Sequence, residues 1–501
     1  MINRPFFPWP GQRGHWRATL RKRPAPLLAL LACLAASGPG AAAGLAAAEL
    51  AAEPAAEALA CRAPASGTMT LAELRALALR CNPALRLARA AEQQSEADIA
   101  IAGQRPNPVL SVGVENINPH AGMGPGGLQR KAVDSVLRVD QQIETAGKAP
   151  LRVKTARAGR EAASAETGAA AVQQIAQLER SFYQAAIGQE RVAALEQALE
   201  LYERSAAAHR LRLKAGDISR ADLTRIELDG LRAQAELRDA RASHAEELAE
   251  LARQAGVQGT LSRMELAVQW PDAGAVLPLP SEEQSAELVA LRPDVVAAQA
   301  RLRAAASARE LARAGRVPDI TVGAQVERYP VNGGNQQGSG NSFGVFVSIP
   351  LMVRHRNDGE LARAEADYYT ALEERNRVML EAGNDIARLR AALDAAARAW
   401  QQMRDAVLPA AEQVGADAEL AFSRGATGVL DLLDARRALR QARLDAIAAR
   451  GAHASALSAY LAATRAASSV VFDPSYPRSS GASDDVAPVH AIHALADASD
   501  R

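Results

Sequence analysis

Large rings are scarce in this chain. Seven Phe, seven Tyr and four Trp among 501 residues make 4% aromatic content, although 48% of the residues are apolar. That shortage excludes a thick core of aromatic side chains and leaves Ala and Leu to carry the burial, which favours long helices packed closely. Cysteine is scarcer still, at Cys33, Cys61 and Cys81, with no Cys-x-x-Cys among them. Histidine does not cluster: His120, His209, His244, His355 and His453 stand apart, and His490 with His493 offers two ligands where a metal site needs more. There is no Gly-rich phosphate loop between a strand and a helix, and no nucleophile elbow. Nothing supports catalysis, a resident cofactor or a nucleotide-driven motor. Apart from a short stretch near the start, no apolar run has the look of a membrane-spanning helix.

That stretch has the order of an export signal. Arg17, Arg21, Lys22 and Arg23 form a basic start, Leu27 to Ala36 a short apolar run, and Gly38-Pro39-Gly40 with Ala41-Ala42-Ala43 a small-residue finish. Residues 1–45 are read as a signal peptide. Cys33 closes Leu30-Leu31-Ala32-Cys33, which loosely resembles a lipoprotein box with an unusual Leu31, so Cys33 is a candidate lipidation site. Arg4, Arg13, Arg17, Arg21, Lys22 and Arg23 leave with the signal and take no acid with them, so 58 basic residues fall to 52 against 57 acids, a net of −5. That balance argues against nucleic-acid binding. Residues 46–67, rich in Ala, Glu and Pro, read as a linker. In an oxidising compartment Cys61 and Cys81 either pair or remain two unrelated thiols.

The rest of the chain is written twice. Asn82-Pro83 and Asn107-Pro108-Val109-Leu110-Ser111-Val112-Gly113 return as Arg292-Pro293 and Val317-Pro318-Asp319-Ile320-Thr321-Val322-Gly323, shifted by 210 residues. Lys214-Ala215-Gly216-Asp217 through Leu223 echoes Ser423-Arg424-Gly425-Ala426 through Leu432, shifted by 209. A period this long is a whole architectural unit, longer than any solenoid module. The halves are taken as 68–270 and 281–465, and residues 466–501, rich in Ser, Pro, Asp and Ala, read as a disordered tail.

Each half runs helix, hairpin, long helix, tight turn, helix. Thr70 to Arg80 reads as a short amphipathic helix stopped by Asn82-Pro83, and Ala84 to about Gln104 as a second, ended before Pro106. Leu110, Val112 and Val114 alternate with polar or small neighbours over 109–116, and a rougher alternation covers 133–143. The second half alternates through Ile320, Val322, Ala324 and Val326, then Phe343, Val345, Val347 and Ile349. Gly-rich loops join both pairs into hairpins. Ala185, Gly188, Val192, Leu195, Leu199, Tyr202, Ala206, His209 and Leu213 step by three and four, as do Ile386, Leu389, Leu393, Ala396, Trp400, Met403, Val407, Ala410 and Val414. These are coiled-coil seams, the second expected to kink at Pro409. The long helices break at Gly216 and Gly425.

Four strands with one apolar face suit a membrane β-barrel, but four cannot close one, and lipid does not tolerate an open edge. Three copies would supply twelve strands. The alternative is a soluble α+β protein whose hairpins pack on its helices.

The duplicated Pro108 and Pro318 strand starts, the strand-to-helix junctions and the Gly216 and Gly425 turns resemble the TolC-type outer-membrane factors over roughly residues 68–465. Gln141-Gln142-Ile143-Glu144-Thr145-Ala146-Gly147-Lys148 is most similar to the cobalt–zinc–cadmium efflux branch, whose pattern has Gly where this chain has Ala146 and Arg where it has Ala149. The resemblance implies a mostly α fold with a membrane β part: a homotrimer with a twelve-strand barrel in outer-membrane lipid on a twelve-helix periplasmic α-barrel, four strands per chain. It implies a passive duct, fed through a periplasmic adaptor by an inner-membrane RND pump, with heavy-metal cations as the cargo of that branch. The tips Gly216, Asp217, Ile218 and Gly425, Ala426, Thr427 are expected to meet the adaptor. Asp431 and Asp434, six and nine residues after the second turn, are expected to form carboxylate rings that gate the tunnel. Their plain alternative is two solvated acids near a helix start. In the first repeat Asp222 and Arg225 hold these positions, Arg225 placed to reach an acid across the tip. The rival readings are a duct for organic compounds or secreted proteins, and a periplasmic coiled-coil adaptor or scaffold without a barrel.

Overall fold

In this computed structural model the described residues are 61–62, 67–115, 117, 133–259, 261–262, 264–272, 282–329 and 340–464. The signal segment, Cys33, most of the linker, both hairpin loops, His120 and the tail with His490 and His493 lie outside them.

The first helix starts where its cap dictates. Thr70 ends strand β1 (Gly67–Thr70) and caps α1 (Leu71–Cys81). The Thr70 hydroxyl accepts from the Glu73 amide at 3.3 Å, and the Glu73 carboxylate accepts from the Thr70 amide at 2.8 Å. Such a reciprocal cap is worth about 1 kcal/mol. Asn82 then accepts from the amides of Ala84 and Leu85, starting α2 (Pro83–Gly103) with Pro83 in the first turn, where its missing N–H costs nothing.

The first half continues through β2 (Val109–Glu115), β3 (Asp134–Ile143), α3 (Lys148–Ala215), α4 (Arg220–Ala255) and β4 (Met264–Ala267). The second follows the same order without counterparts of β1 and β4 among the described residues: α5 (Glu282–Leu291), α6 (Pro293–Ala314), β5 (Ile320–Tyr329), β6 (Gly340–Ser348), α7 (Asp358–Gln402), α8 (Leu408–Ser423) and α9 (Val429–Thr464). The 68 residues of α3 span about 100 Å. No helix among the described residues is long and apolar enough to cross a membrane.

The seam on α3 is buried as its spacing predicts, at Ala185, Gly188, Leu195, Tyr202, Ala206 and His209. The second seam is interrupted. Ile386 and Leu393 are buried, but Ala410 and Val414 face outward and Gly415 faces in. Between them Met403–Val407 is a π-helical turn. Pro409 brings no N–H and crowds the carbonyl four residues before it, and the helix answers by widening one turn. The extra residue rotates everything after it to a new phase, which ends the heptad pattern there.

The core gathers where the helices meet β1 and β4. Met69, Leu74, Phe182, Leu251, Leu261 and Leu266 pack together, and β1 pairs parallel with β4 from Gly67 opposite Met264 to Thr70 opposite Ala267. Each buried Leu or Phe contributes roughly 1.5–3 kcal/mol. The end of the stretch read as linker is tied down. Cys61 is disulfide-bonded to Cys81 with their Cα atoms 5.5 Å apart, and its carbonyl accepts from the Gln258 amide at 2.8 Å. Gly256, at φ 71°, lies so close to Cys81 that a Cβ there would sit 2.4 Å from the Cys81 carbonyl oxygen.

The two hairpins form one sheet. Its order is β2-β3-β5-β6, all antiparallel, because β3 pairs with β5 from Ser135 opposite Arg328 to Ile143 opposite Ile320. Among the described residues β2 and β6 are each paired on one side only.

Candidate functional site

The register sorts the sheet into two faces. Leu110, Val139, Ala324 and Val345 stand in one row and Val112, Leu137, Val326 and Phe343 in the next, all on one side. That face is exposed although apolar, with Val112 74%, Phe343 77% and Val345 78% accessible. The opposite face carries Ser111, Arg138, Asp140, Gln142, Gln325, Glu327, Ser342 and Ser348. An exposed apolar face backed by a polar one is the pattern of a barrel wall between lipid and a wet lumen.

At the foot of the sheet, the segment that carries the subfamily resemblance is a weld. Gln142 donates to the Asp319 carboxylate at 3.1 Å, as do the Thr145 amide at 3.0 Å and Lys148 Nζ at 2.8 Å. The Thr145 hydroxyl donates to the Pro318 carbonyl at 2.6 Å, and Glu144 pairs with Arg152. The motif thus fixes the β3-to-α3 corner against the start of β5. The corner turns through two left-handed residues, Ala146 at φ 53° and Gly147 at φ 66°.

At the far end of the long helices both expected glycines take left-handed φ, 83° at Gly216 and 72° at Gly425. The Asp217 amide donates back to the Arg212 carbonyl and the Ala426 amide to the Ala421 carbonyl, closing each helix end. The two tips lie side by side. Gly216, Asp217, Ile218, Gly425 and Thr427 border one shallow groove of about 610 Å³. Ala426 is exposed, and the Thr427 hydroxyl is buried without a hydrogen-bond partner among the described residues.

Asp431 and Asp434 are both exposed, and within one chain they do different things. The Asp431 carboxylate accepts from the Gly428 amide at 3.3 Å, serving the start of α9. Asp434 accepts from Arg437 at 2.9 Å. Arg225 does not reach across the tip, because it donates to Asp222 one turn back on its own helix at 3.1 Å. The crossing is made by Arg437 instead. Its guanidinium donates to both carboxylate oxygens of Asp229 on α4, at 2.8 and 2.7 Å. Asp229 is 3% exposed. The fork to Asp229 holds Arg437 protonated more firmly than an ordinary arginine, although burial works against it. His209 adds a second link between halves: its ring stacks on Phe422 with centroids 5.4 Å apart, and its Nδ1 lies 2.7 Å from the Ser205 carbonyl oxygen.

Asp229, Arg437 and Phe422 were not identified from sequence as tip residues. Asp229 and Arg437 are 208 residues apart and neither sits in a motif, so no local signal marks them. Among the described residues no three His, Cys, Asp or Glu side chains gather in a way that would hold a metal ion.

Comparison with known proteins agrees with this architecture. The family described as outer membrane efflux protein matches residues 74–257 and 285–464, one span per repeat. The cobalt-zinc-cadmium resistance protein CzcC of Cupriavidus metallidurans is 29% identical over 389 residues, which is 76% of this chain and 86% of that one. Protein CyaE of Bordetella pertussis is 30% identical over 357 residues, 67% of this chain and 72% of that one. Among solved structures, CusC, whose study concerns transmembrane channel formation, superposes with a TM-score of 0.64 at 18% identity, covering 79% of this chain and 91% of that chain.

Proposed function

The chain belongs to the outer membrane efflux protein family, and from that premise we propose that it is the channel subunit of a tripartite efflux system, a passive exit duct working as a homotrimer. The observation that carries this is the four-stranded sheet with an exposed apolar face and two edges left open among the described residues. An open edge in lipid leaves backbone groups unpaired at several kcal/mol each, so closure demands more strands, and three copies give twelve. The long helices extend from the barrel into the periplasm. The groove at the paired tips is the docking place of a periplasmic adaptor, which couples the duct to an inner-membrane RND pump. In three copies Asp431 and Asp434 each form a ring, one turn apart, and the two rings make the carboxylate gate. The cargo is heavy-metal cations such as cobalt, zinc and cadmium, a reading supported by the likeness to CzcC.

The test is the size and location of the mature protein in outer-membrane extracts run unheated and heated. A heat-dissociated trimer in the outer membrane is expected. A periplasmic monomer that needs no detergent would overturn the duct. Deleting the gene should lower tolerance to zinc, cobalt or cadmium salts, and unchanged tolerance to all three would remove the metal cargo while leaving the duct.

A further inference from the structure

The polar face of the sheet carries one basic residue among the described strands, Arg138, against four acids: Asp134, which is 4% exposed, Asp140, and the more accessible Glu115 and Glu327. Arg138 does not project from the wall. Its Nε lies 2.9 and 2.8 Å from the two Asp140 oxygens and its Nη2 2.8 Å from Oδ1, and its guanidinium carbon stands 4.6 Å from the centre of the Phe346 ring.

The sheet makes room for this. Gly323 lies between Asp140 on β3 and Phe346 on β6 in the same row. A Cβ on Gly323 would sit 2.2 Å from Asp140 Oδ1 and 3.4 Å from an Arg138 terminal nitrogen. Phe346 in turn lies over Gly344, where a Cβ would come within 3.0 Å of the ring. Two glycines thus floor a flat stack of carboxylate, guanidinium and ring. The acid cancels the cation at short range and the ring covers it.

We propose that this stack is a specificity device: Gly323 allows Asp140 and Phe346 to hold Arg138 flat, so the bore shows cargo Glu115 and Glu327 and no projecting cation. The substrate class it favours is cationic. The inference rests on the barrel reading, which makes this face the lumen.

The probe is phenylglyoxal, an arginine reagent, applied to the full-chain trimer, with modification at Arg138 followed by peptide mass spectrometry. Wild type should react slowly, and Gly323→Ala and Asp140→Asn on the order of tenfold faster, the effect of losing one charged hydrogen-bonding partner. Gly323→Ala trimers reacting at the wild-type rate would overturn the stack. Asp140→Asn should also react equally fast in detergent and in lipid vesicles. Protection by the bilayer alone would place Arg138 against lipid and defeat the barrel reading, whatever the Gly323 result. Reversal potentials in planar bilayers carry the specificity. In an Asp431→Ala/Asp434→Ala background, Asp140→Asn should lower cation preference, and an unchanged ratio would overturn the role in selection.

Discussion

Replacing Arg437 by Gln tests whether the two repeats are locked at the tip by one buried charge. Asp229 is nearly inaccessible, and both its oxygens receive Arg437. Removing one partner of a buried pair costs roughly 3–5 kcal/mol, most of it the stranded charge. Two features lower the figure here. Arg437 is itself 41% exposed, so its own desolvation is partial, and Arg232 remains 3.6 Å from Asp229. About 2–3 kcal/mol is therefore expected for Arg437→Gln. Asp229→Asn removes the buried charge and leaves Arg437 with Asp434 and water, at a cost of about 1 kcal/mol. The double variant should resemble Asp229→Asn, because no charge is then stranded. Hydrogen exchange read by mass spectrometry on the trimer measures this locally. Amides of α4 around Asp229 should exchange roughly 30- to 150-fold faster in Arg437→Gln, and the added Asp229→Asn should recover most of that protection. If Arg437→Gln opens α4 no more than Asp229→Asn does, or if the second change rescues nothing, the buried-charge argument is wrong.

Ala146→Gly should stabilise the β3-to-α3 corner by roughly 0.5–1 kcal/mol, since a left-handed residue with a Cβ is strained there, and a lower unfolding midpoint in urea would refute this. Gly256→Ala should lose folded trimer altogether, because its Cβ would overlap Cys81 and Asn82 backbone; normal yield would show that this joint yields more than its geometry suggests. Asp431→Ala with Asp434→Ala should raise single-channel conductance and weaken block by multivalent cations, and unchanged block rejects the gate. Burial holds His453 below its ordinary value of 6.5, with Asp272 opposing. The unfolded chain then binds the proton more readily, so the stability is present at neutral pH and lost as pH falls from about 6.5 through the folded value. His453→Gln should flatten the acid dependence of the unfolding midpoint across that window, and an unaltered slope would count against it.

Much of this protein is local, and local order is what a sequence spells out. Alternation with period two gave the strands, because side chains of an extended chain must alternate between faces. Spacing by three and four gave the α3 seam, and Gly216 and Gly425 marked the turns because a left-handed φ favours glycine. The repeat gave the order of elements, since like segments fold alike. What the sequence left open depends on partners far apart in the chain. The strands β1 and β4 are four residues each, too short for a period, and exist by pairing with one another. Cys61 and Cys81 were two thiols until the fold brought their Cα atoms within 5.5 Å. The junction of β3 with β5 turned two hairpins into one wall, and the crossing from Arg437 to Asp229 replaced the one expected from Arg225. Pro409 announced a disturbance, and its form, a π-helical turn at Met403–Val407, is visible only in the structure. Periodicity fixes which way a side chain faces, and only the packed fold decides what it meets.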